Sequence, residues 1–199
     1  MSARPFTESE YALLSQYFTA EKRTRDRLYL VLSAATGFRV TEITNLTVGQ
    51  VWNGTEVRRE LTIARRAMKG GRGTHKRSVR SRRVPLSDSV RAVIAEHLGK
   101  IGTDPALALF ATGRSNGKGM SRSQAFRIIT EAAAACGIDT TRISCHSTRK
   151  LFARRVYEAS GRSLICLQRI IGHQSPMTSA LYLEEDEADL DRVVLNLCA

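Results

Sequence analysis

The chain has 199 residues and is strongly basic, with 31 lysines and arginines against 19 aspartates and glutamates and a formal net charge of +12. This length fits one domain, and a hydrophobic content of 42% is enough for a buried core, which excludes global disorder. No apolar run reaches the roughly 18 residues that span a bilayer, and the first ten residues lack the apolar stretch of a secretory signal. We therefore expect a cytoplasmic protein with no membrane segment and with a polyanionic partner, nucleic acid being the first candidate.

The cysteines and histidines show no metal-binding pattern. The four cysteines form no CxxC pair and have no regular spacing, and the four histidines show no paired ligand spacing. We expect reduced, mostly buried cysteines, no disulfide framework and no metal site.

The first elements in chain order are three helices. Thr7 and Glu10 have the spacing of a capping pair, and a helical apolar pattern follows over about residues 8–19. A second apolar segment ends at Gly37, and a third begins at Val40. The residues between these two lie at a turn that joins two helices.

A hairpin and then further helices complete the chain. Alternating, β-branched residues predict a strand over 57–67, and residues 81–87 form its hairpin partner across a long polar connection. Helical patterns follow at 89–101, 124–137, 146–161, 163–172 and 180–198. The sequence therefore predicts one α+β domain over residues 1–199, mainly α-helical with a small antiparallel β-sheet.

Positive charge is concentrated in the predicted hairpin. Residues 58–83 contain eleven lysines and arginines against Glu60 alone, a net charge of +10 over 26 residues. A solvated hairpin kept soluble by its charges is the plain alternative, but so one-sided a run favours contact with a phosphate backbone. The candidate DNA-binding residues are Arg65, Arg66, Arg72, Arg77, Arg80, Arg82 and Arg83.

The chain also contains the groups that cleavage of a phosphodiester without a cofactor needs. Such a reaction requires a nucleophile, fixed positive charge at the nonbridging oxygens and a proton donor for the leaving oxygen. Arg39 lies at the turn between two helices, His146 and Arg149 share one face of a helix, His173 follows a helix-ending glycine, and Tyr182 comes nine residues later. Each signal is weak alone, since single histidines and tyrosines are more often packing residues.

Taken together and in order, the motifs resemble a known signature. The segments TGFRVTEITNLTVGQV, MKGG followed by SRRVPL, CHSTR and LQRIIGHQSPMTSALY are similar to the catalytic domain of the tyrosine recombinase (phage integrase) family. Arg149 precedes His173 by 24 residues, and His173 precedes Tyr182 by nine. The resemblance covers almost the whole chain, from about Phe6 onwards.

The resemblance implies a role for each motif residue. Tyr182 would attack the scissile phosphorus to form a 3'-phosphotyrosyl bond and release a 5'-hydroxyl, with no metal or nucleotide cofactor. Arg39 and Arg149 would hold the nonbridging oxygens, for which the guanidinium fork is suited. His173 would add a hydrogen bond to the phosphate, and His146 would help to accept the tyrosine proton.

The resemblance also implies a general acid on the hairpin and a supporting carboxylate. Lys69 is the first choice to protonate the leaving oxygen, because it precedes Gly70 as in the family's pattern. Lys76 is the alternative, because its distance from the later VPL segment is more like that of the family. Glu42 would orient the first arginine rather than act as a base.

The implied function is site-specific recombination of double-stranded DNA, giving integration, excision or inversion. Four protomers would assemble on two synapsed sites, while the free protein can be a monomer, and an accessory DNA-bending protein is a further candidate partner. We expect no separate N-terminal core-binding domain, so the chain is either naturally short or a fragment. The rival functions are a type IB topoisomerase, a DNA-binding regulator that does not cleave, and a basic protein that binds RNA or a membrane surface.

Overall fold

The computed structural model describes residues 3–65, 81–112, 119–172, 176–180, 182–183 and 195. Its elements in chain order are α1 (Glu8–Ala20), α2 (Thr24–Thr36), α3 (Val40–Thr44), α4 (Val48–Val51), β1 (Glu60–Ile63), β2 (Arg82–Pro85), α5 (Asp88–Ile101), α6 (Arg122–Ala135), α7 (Cys145–Ala159), α8 (Leu164–Ile171) and α9 (Pro176–Ala180). Over these residues the protein is mainly helical with a small antiparallel sheet, which confirms the predicted α+β class.

The chain divides into two compact units, Met1–Phe152 and Ala153–Ala199, and the boundary falls inside α7. A single domain over residues 1–199 stays a prediction. In the part of the chain that the structure describes, no helix is both long and apolar enough to cross a membrane.

The predicted cap of the first helix is confirmed. The Thr7 hydroxyl accepts a hydrogen bond from the backbone N–H of Glu10 at 3.1 Å, and the Glu10 carboxylate accepts one from the N–H of Thr7 at 2.9 Å. This reciprocal pair satisfies two helix-end donors that would otherwise lack partners. The helix then buries Leu14 and Phe18 in the core of the first unit.

The sheet is shorter than predicted. Leu61 pairs with Val84 and Ile63 with Arg82, and these four residues form the buried face. The predicted strand begins at residue 57, but Val57 pairs with Trp52 in an isolated antiparallel bridge. In the turn between them, the Asn53 side chain accepts two backbone hydrogen bonds. The chain therefore enters β1 only after this turn, because its earlier backbone groups already have partners.

In the second half of the first unit, serine caps determine where α5 and α6 begin. Ser87 precedes α5 and Ser121 precedes α6, and each hydroxyl accepts a hydrogen bond from a backbone N–H in the first turn of its helix. These starts lie one or two residues before the predicted ones. The short α4 was not predicted, because four residues are too few to give a helical pattern.

The second unit contains α8 and α9, which pack against each other. Leu167 and Ile171 are buried, and α8 ends at Gly172 in the left-handed conformation, as its position after the apolar segment predicted. The short α9 was not predicted. Apart from residues 180, 182, 183 and 195, the predicted last helix over 180–198 lies outside the described residues.

The junction between α2 and α3 has no room for a side chain. Gly37 ends α2 with φ +56°, and a Cβ at this position would overlap the ring of Phe152, which lies in α7. A residue other than glycine would therefore suffer both backbone strain and a steric clash. Gly37 lets α7 approach the end of α2 closely.

We expect Gly37→Ala to lower the free energy of unfolding by about 2–4 kcal/mol, because it adds overpacking against Phe152 to the cost of a left-handed alanine. Gly137→Ala is the matched control, since Gly137 has φ +70° and a Cβ added there would meet no atom within 4 Å. The control should lose only about 1–2 kcal/mol. Urea denaturation measures both losses, and equal losses would show that the contact with Phe152 has no energetic weight.

Candidate active site

Glu42 holds Arg39 at the start of α3. The Glu42 carboxylate accepts a hydrogen bond from the Arg39 backbone N–H at 2.8 Å and another from its Nη1 at 3.1 Å. The Glu42 side chain is 1% exposed and that of Arg39 is 27% exposed. The buried carboxylate thus fixes both ends of the arginine while part of the guanidinium faces solvent. The predicted orienting role of Glu42 requires this contact, and the role itself stays a prediction.

Arg149 joins α7 to the same junction from the interior. Its side chain is almost fully buried, and its Nη1 donates a hydrogen bond to the carbonyl oxygen of Gly37. A buried guanidinium is costly unless its donors have partners, and this carbonyl is one such partner. The pair places the charge of Arg149 at a backbone group two residues from Arg39 along the chain.

Arg82 is placed differently from its prediction. The sequence groups it with surface residues that contact DNA, but the structure buries it, and its Nη2 donates a hydrogen bond to the carbonyl oxygen of Thr36. Its guanidinium lies over the Phe38 ring, 4.3 Å from the ring centroid. The physical reason is strand alternation, since Arg82 is on the buried face of β2 and Arg83 is on the exposed face.

The three arginines form a cluster of excess positive charge. The pKa of Arg82 is lowered to about 9, first by burial and then by the charge of Arg149, with a smaller effect of Arg39, while Glu42 acts in the opposite direction. Like charges that oppose the protonated form of Arg82 in this way favour an anion as a further neighbour. We call Arg39, Arg82 and Arg149 the arginine cluster.

His146 belongs to the same region. Burial lowers its pKa first, and four cations lower it further, in decreasing order Arg122, Arg149, Arg39 and Lys150. A histidine whose pKa is lowered is neutral at neutral pH, and a neutral imidazole can accept a proton. The side chain is therefore in the state that the predicted role requires.

A groove of about 340 Å³ adjoins His146 and was not predicted. Its lining consists of Arg122, Ser123, Phe126, Arg127, Ser144, Cys145 and His146. The side chain of Phe126 is 44% exposed, which is high for a large apolar residue. Two arginines of the same helix, Arg122 and Arg127, line the groove with it. Helical spacing put these α6 residues on one face, but only the fold brings that face beside His146.

Of the remaining predicted residues, the structure describes Arg65, Arg83 and Tyr182. Arg65 and Arg83 are exposed, and Arg83 forms an ion pair with Glu60 at 2.7 Å. Tyr182 belongs to the second unit, where it is partly buried and its backbone N–H donates to the carbonyl oxygen of Ser179 at 3.0 Å. The predicted residues outside the described ranges are Arg66, Lys69, Arg72, Lys76, Arg77, Arg80 and His173.

Within the described ranges, no three His, Cys, Asp or Glu side chains are grouped so that they could hold a metal ion. The arginine cluster supplies fixed positive charge, and His146 supplies an imidazole whose pKa is lowered. Such a site binds an anion and stabilises charge that develops on it.

We expect His146 to titrate below the ordinary pKa of histidine, and Arg122→Gln to raise its pKa by removing the strongest of the four cations. His97 is the internal control, because burial lowers its pKa as well and Arg122 does not act on it. NMR of labelled histidine rings measures both pKa values in one sample. A His146 pKa at its ordinary value, or an equal response of the two histidines, would contradict the assigned electrostatics.

Comparison with known proteins identifies the family. Residues 5–189 match the phage integrase family. The chain is similar to the probable integrase/recombinase YoeC of Bacillus subtilis (strain 168), with 28% identity over 170 residues that cover 85% of this chain and 83% of YoeC. It is 26% identical to the tyrosine recombinase XerA of Pyrococcus furiosus over 179 residues, which cover 90% of this chain and 56% of XerA.

Solved structures share the fold. The crystal structure of XerA recombinase superposes with a TM-score of 0.74 at 21% identity and covers 98% of this chain and 65% of that one. XerH bound to its difH substrate in a pre-cleavage complex gives a TM-score of 0.69 at 20% identity over 96% of this chain and 53% of that one. The chain thus spans about half the length of several curated relatives that it matches. With a match that covers nearly its whole length, the chain belongs to the phage integrase family.

Proposed function

We propose that this chain carries the catalytic machinery of a site-specific DNA recombinase, which breaks and rejoins strands through a covalent bond to Tyr182. The observation that carries the proposal is the arginine cluster at the end of α2. Arg82 and Arg149 donate to the adjacent carbonyls of Thr36 and Gly37. Arg39, two residues further on, is held by a buried carboxylate with part of its surface exposed. A phosphodiester supplies the negative charge that such a cluster favours.

The proposed reaction needs no energy input. The Tyr182 hydroxyl oxygen attacks the phosphorus, the bond from phosphorus to the 5'-oxygen breaks, and a 3'-phosphotyrosyl bond forms. The tyrosine proton goes to His146, and the 5'-oxygen takes a proton from Lys69, with Lys76 as the alternative donor. Because one phosphoester replaces another, the 5'-hydroxyl of a second strand can reverse the step, which rejoins DNA without ATP.

The arginines act on the charge of the pentacoordinate phosphorus. Arg39 is the more accessible, and Glu42 limits the positions its guanidinium can take. Arg149 is buried beside it, so its direct contact with phosphate requires that DNA binding uncover the guanidinium. In a site from which water is excluded, such fixed charges stabilise a transition state strongly, since they need no reorganisation.

The path of DNA is proposed from the charges around this site. The groove between α6 and the start of α7 offers Arg122 and Arg127 to the backbone and the exposed Phe126 ring to a base or sugar. Arg65 and Arg83 are further exposed cations, on the hairpin. Double-stranded DNA is therefore the proposed partner, and the solved complexes of relatives with DNA support it.

Strand exchange between two duplexes sets the number of protomers that the reaction needs. Four strand exchanges require four protomers, so we propose a homotetramer on synapsed sites that forms from a free monomer. Integration, excision and inversion use the same steps and differ only in the arrangement of the sites. An accessory DNA-bending protein would help to bring those sites together.

We expect the protein to form an SDS-resistant, protease-sensitive adduct with nicked DNA from beside its own gene in the presence of EDTA. Tyr182→Phe should abolish the adduct and leave DNA affinity within about threefold, because one hydroxyl is lost and the phosphate contacts remain. Tyr157→Phe is the matched control, since it removes the hydroxyl of another partly exposed tyrosine of the second unit.

The control should form as much adduct as the unmodified protein. An adduct that survives in Tyr182→Phe would assign the nucleophile to another residue. Tight binding without an adduct would favour a regulator that does not cleave, and relaxation of supercoiled DNA without strand exchange would favour a topoisomerase.

A further inference from the structure

Four consecutive residues at the α2–α3 junction are each held by a different contact. The carbonyl of Thr36 accepts from Arg82, and the carbonyl of Gly37 accepts from Arg149. The Phe38 ring lies under the Arg82 guanidinium, and the backbone of Arg39 donates to Glu42. Arg82 makes two of these four contacts, although it comes from a strand more than 40 residues away in the chain.

We infer that Arg82 is a positioning residue, which connects the β-hairpin to the junction and sets the places of Arg39 and Arg149. The inference rests on the proposed function, because the places of these two side chains matter only if they act on a phosphate. It gives Arg82 a role in the interior in place of the DNA contact that the sequence predicted.

The geometry of the contacts requires an arginine. A planar guanidinium can donate along its edge to the Thr36 carbonyl while its face lies on the Phe38 ring, whereas an ammonium has no flat face. The two contacts fix the guanidinium in both position and tilt. Since Phe38 immediately precedes Arg39, a shift of this ring moves the backbone from which the Arg39 side chain extends.

The electrostatics support the same conclusion. Arg82 is buried near two other arginines, and their charges oppose its own protonated state. A buried charge of this kind seldom adds net stability, since an apolar side chain of similar volume frequently serves the fold as well. A buried guanidinium at this position is therefore explained better by the placement of its neighbours than by stability.

Arg82 also belongs to the β-hairpin, so it links the junction to that element. Arg82 opens β2, and the connection that carries Lys69 and Lys76 joins β1 to this strand. On the opposite face, Arg83 is exposed and pairs with Glu60. Arg82 thus links β2 of this hairpin to the arginines proposed to hold the phosphate.

The test replaces Arg82 by methionine and measures the single-turnover rate of cleavage at saturating DNA. We expect Arg82→Met to lower this rate by about 10- to 100-fold and to change the dissociation constant of DNA by less than about threefold, because a misplaced clamp affects the transition state more than binding. Arg91→Met is the matched control. Arg91 also donates to a backbone carbonyl, that of Val57, and it contacts Glu56 rather than the cluster.

NMR of the arginine Nε–H groups gives a second readout that does not depend on activity. The signals of Arg39 and Arg149 should shift in Arg82→Met and stay unchanged in Arg91→Met. If Arg82→Met does not fold, Arg82→Lys keeps the charge and loses the flat face over Phe38, and it should still cleave about tenfold more slowly.

The outcomes separate this inference from the proposed function. If the unmodified protein forms no adduct, the proposed function fails, and the NMR signals alone decide whether Arg82 places its neighbours. If the unmodified protein cleaves and Arg82→Met cleaves at the same rate, or if the Arg39 and Arg149 signals do not move, the positioning role is overturned. A large loss of DNA affinity at an unchanged saturated rate would overturn it as well, in favour of a direct DNA contact.

Discussion

The close approach of α7 to the end of α2 is the constraint on which the candidate site depends. It exists because Gly37 has no side chain and can take a left-handed conformation, so that Phe152 lies where a Cβ would be. Because α7 lies so close to the end of α2, Arg149 donates a hydrogen bond to the Gly37 carbonyl. Arg82, from the sheet, donates one to the neighbouring Thr36 carbonyl. The absence of a side chain at Gly37 thus permits the close packing of α7 at the junction to which Arg82 and Arg149 both donate.

The cluster that results is costly to keep without an anion. Its arginines are buried or partly buried, and among the described residues the Glu42 carboxylate offsets part of the charge of Arg39 and Arg82. Hydrogen bonds to carbonyl oxygens satisfy donors of Arg82 and Arg149, yet a carbonyl dipole neutralises less charge than a carboxylate. The positive charges of the site are therefore already in place before a ligand binds. Charges that are positioned in advance in this way are what stabilises the transition state of a phosphoryl transfer.

Local rules predicted the parts of the fold that depend on local contacts. The Thr7 cap, the Gly37 helix end and the turn that carries Arg39 were readable because each depends on residues within one helical turn. The burial of Arg82 was not, since two adjacent arginines in a short strand give no alternation that tells inside from outside. The groove beside His146 was missed for a different reason, because only tertiary packing brings α6 beside this residue.

The most direct test of the central claim, that the arginine cluster neutralises the charge of a scissile phosphate, is cleavage of DNA with one methylphosphonate at that position. This group has no charged nonbridging oxygen, so a clamp for charge has less to do there. Arg39→Ala should cleave normal DNA about 100- to 1,000-fold more slowly than the unmodified protein, and the difference should shrink to less than about tenfold on the methylphosphonate. An equal defect on both substrates would contradict the assignment of Arg39 to the phosphate charge.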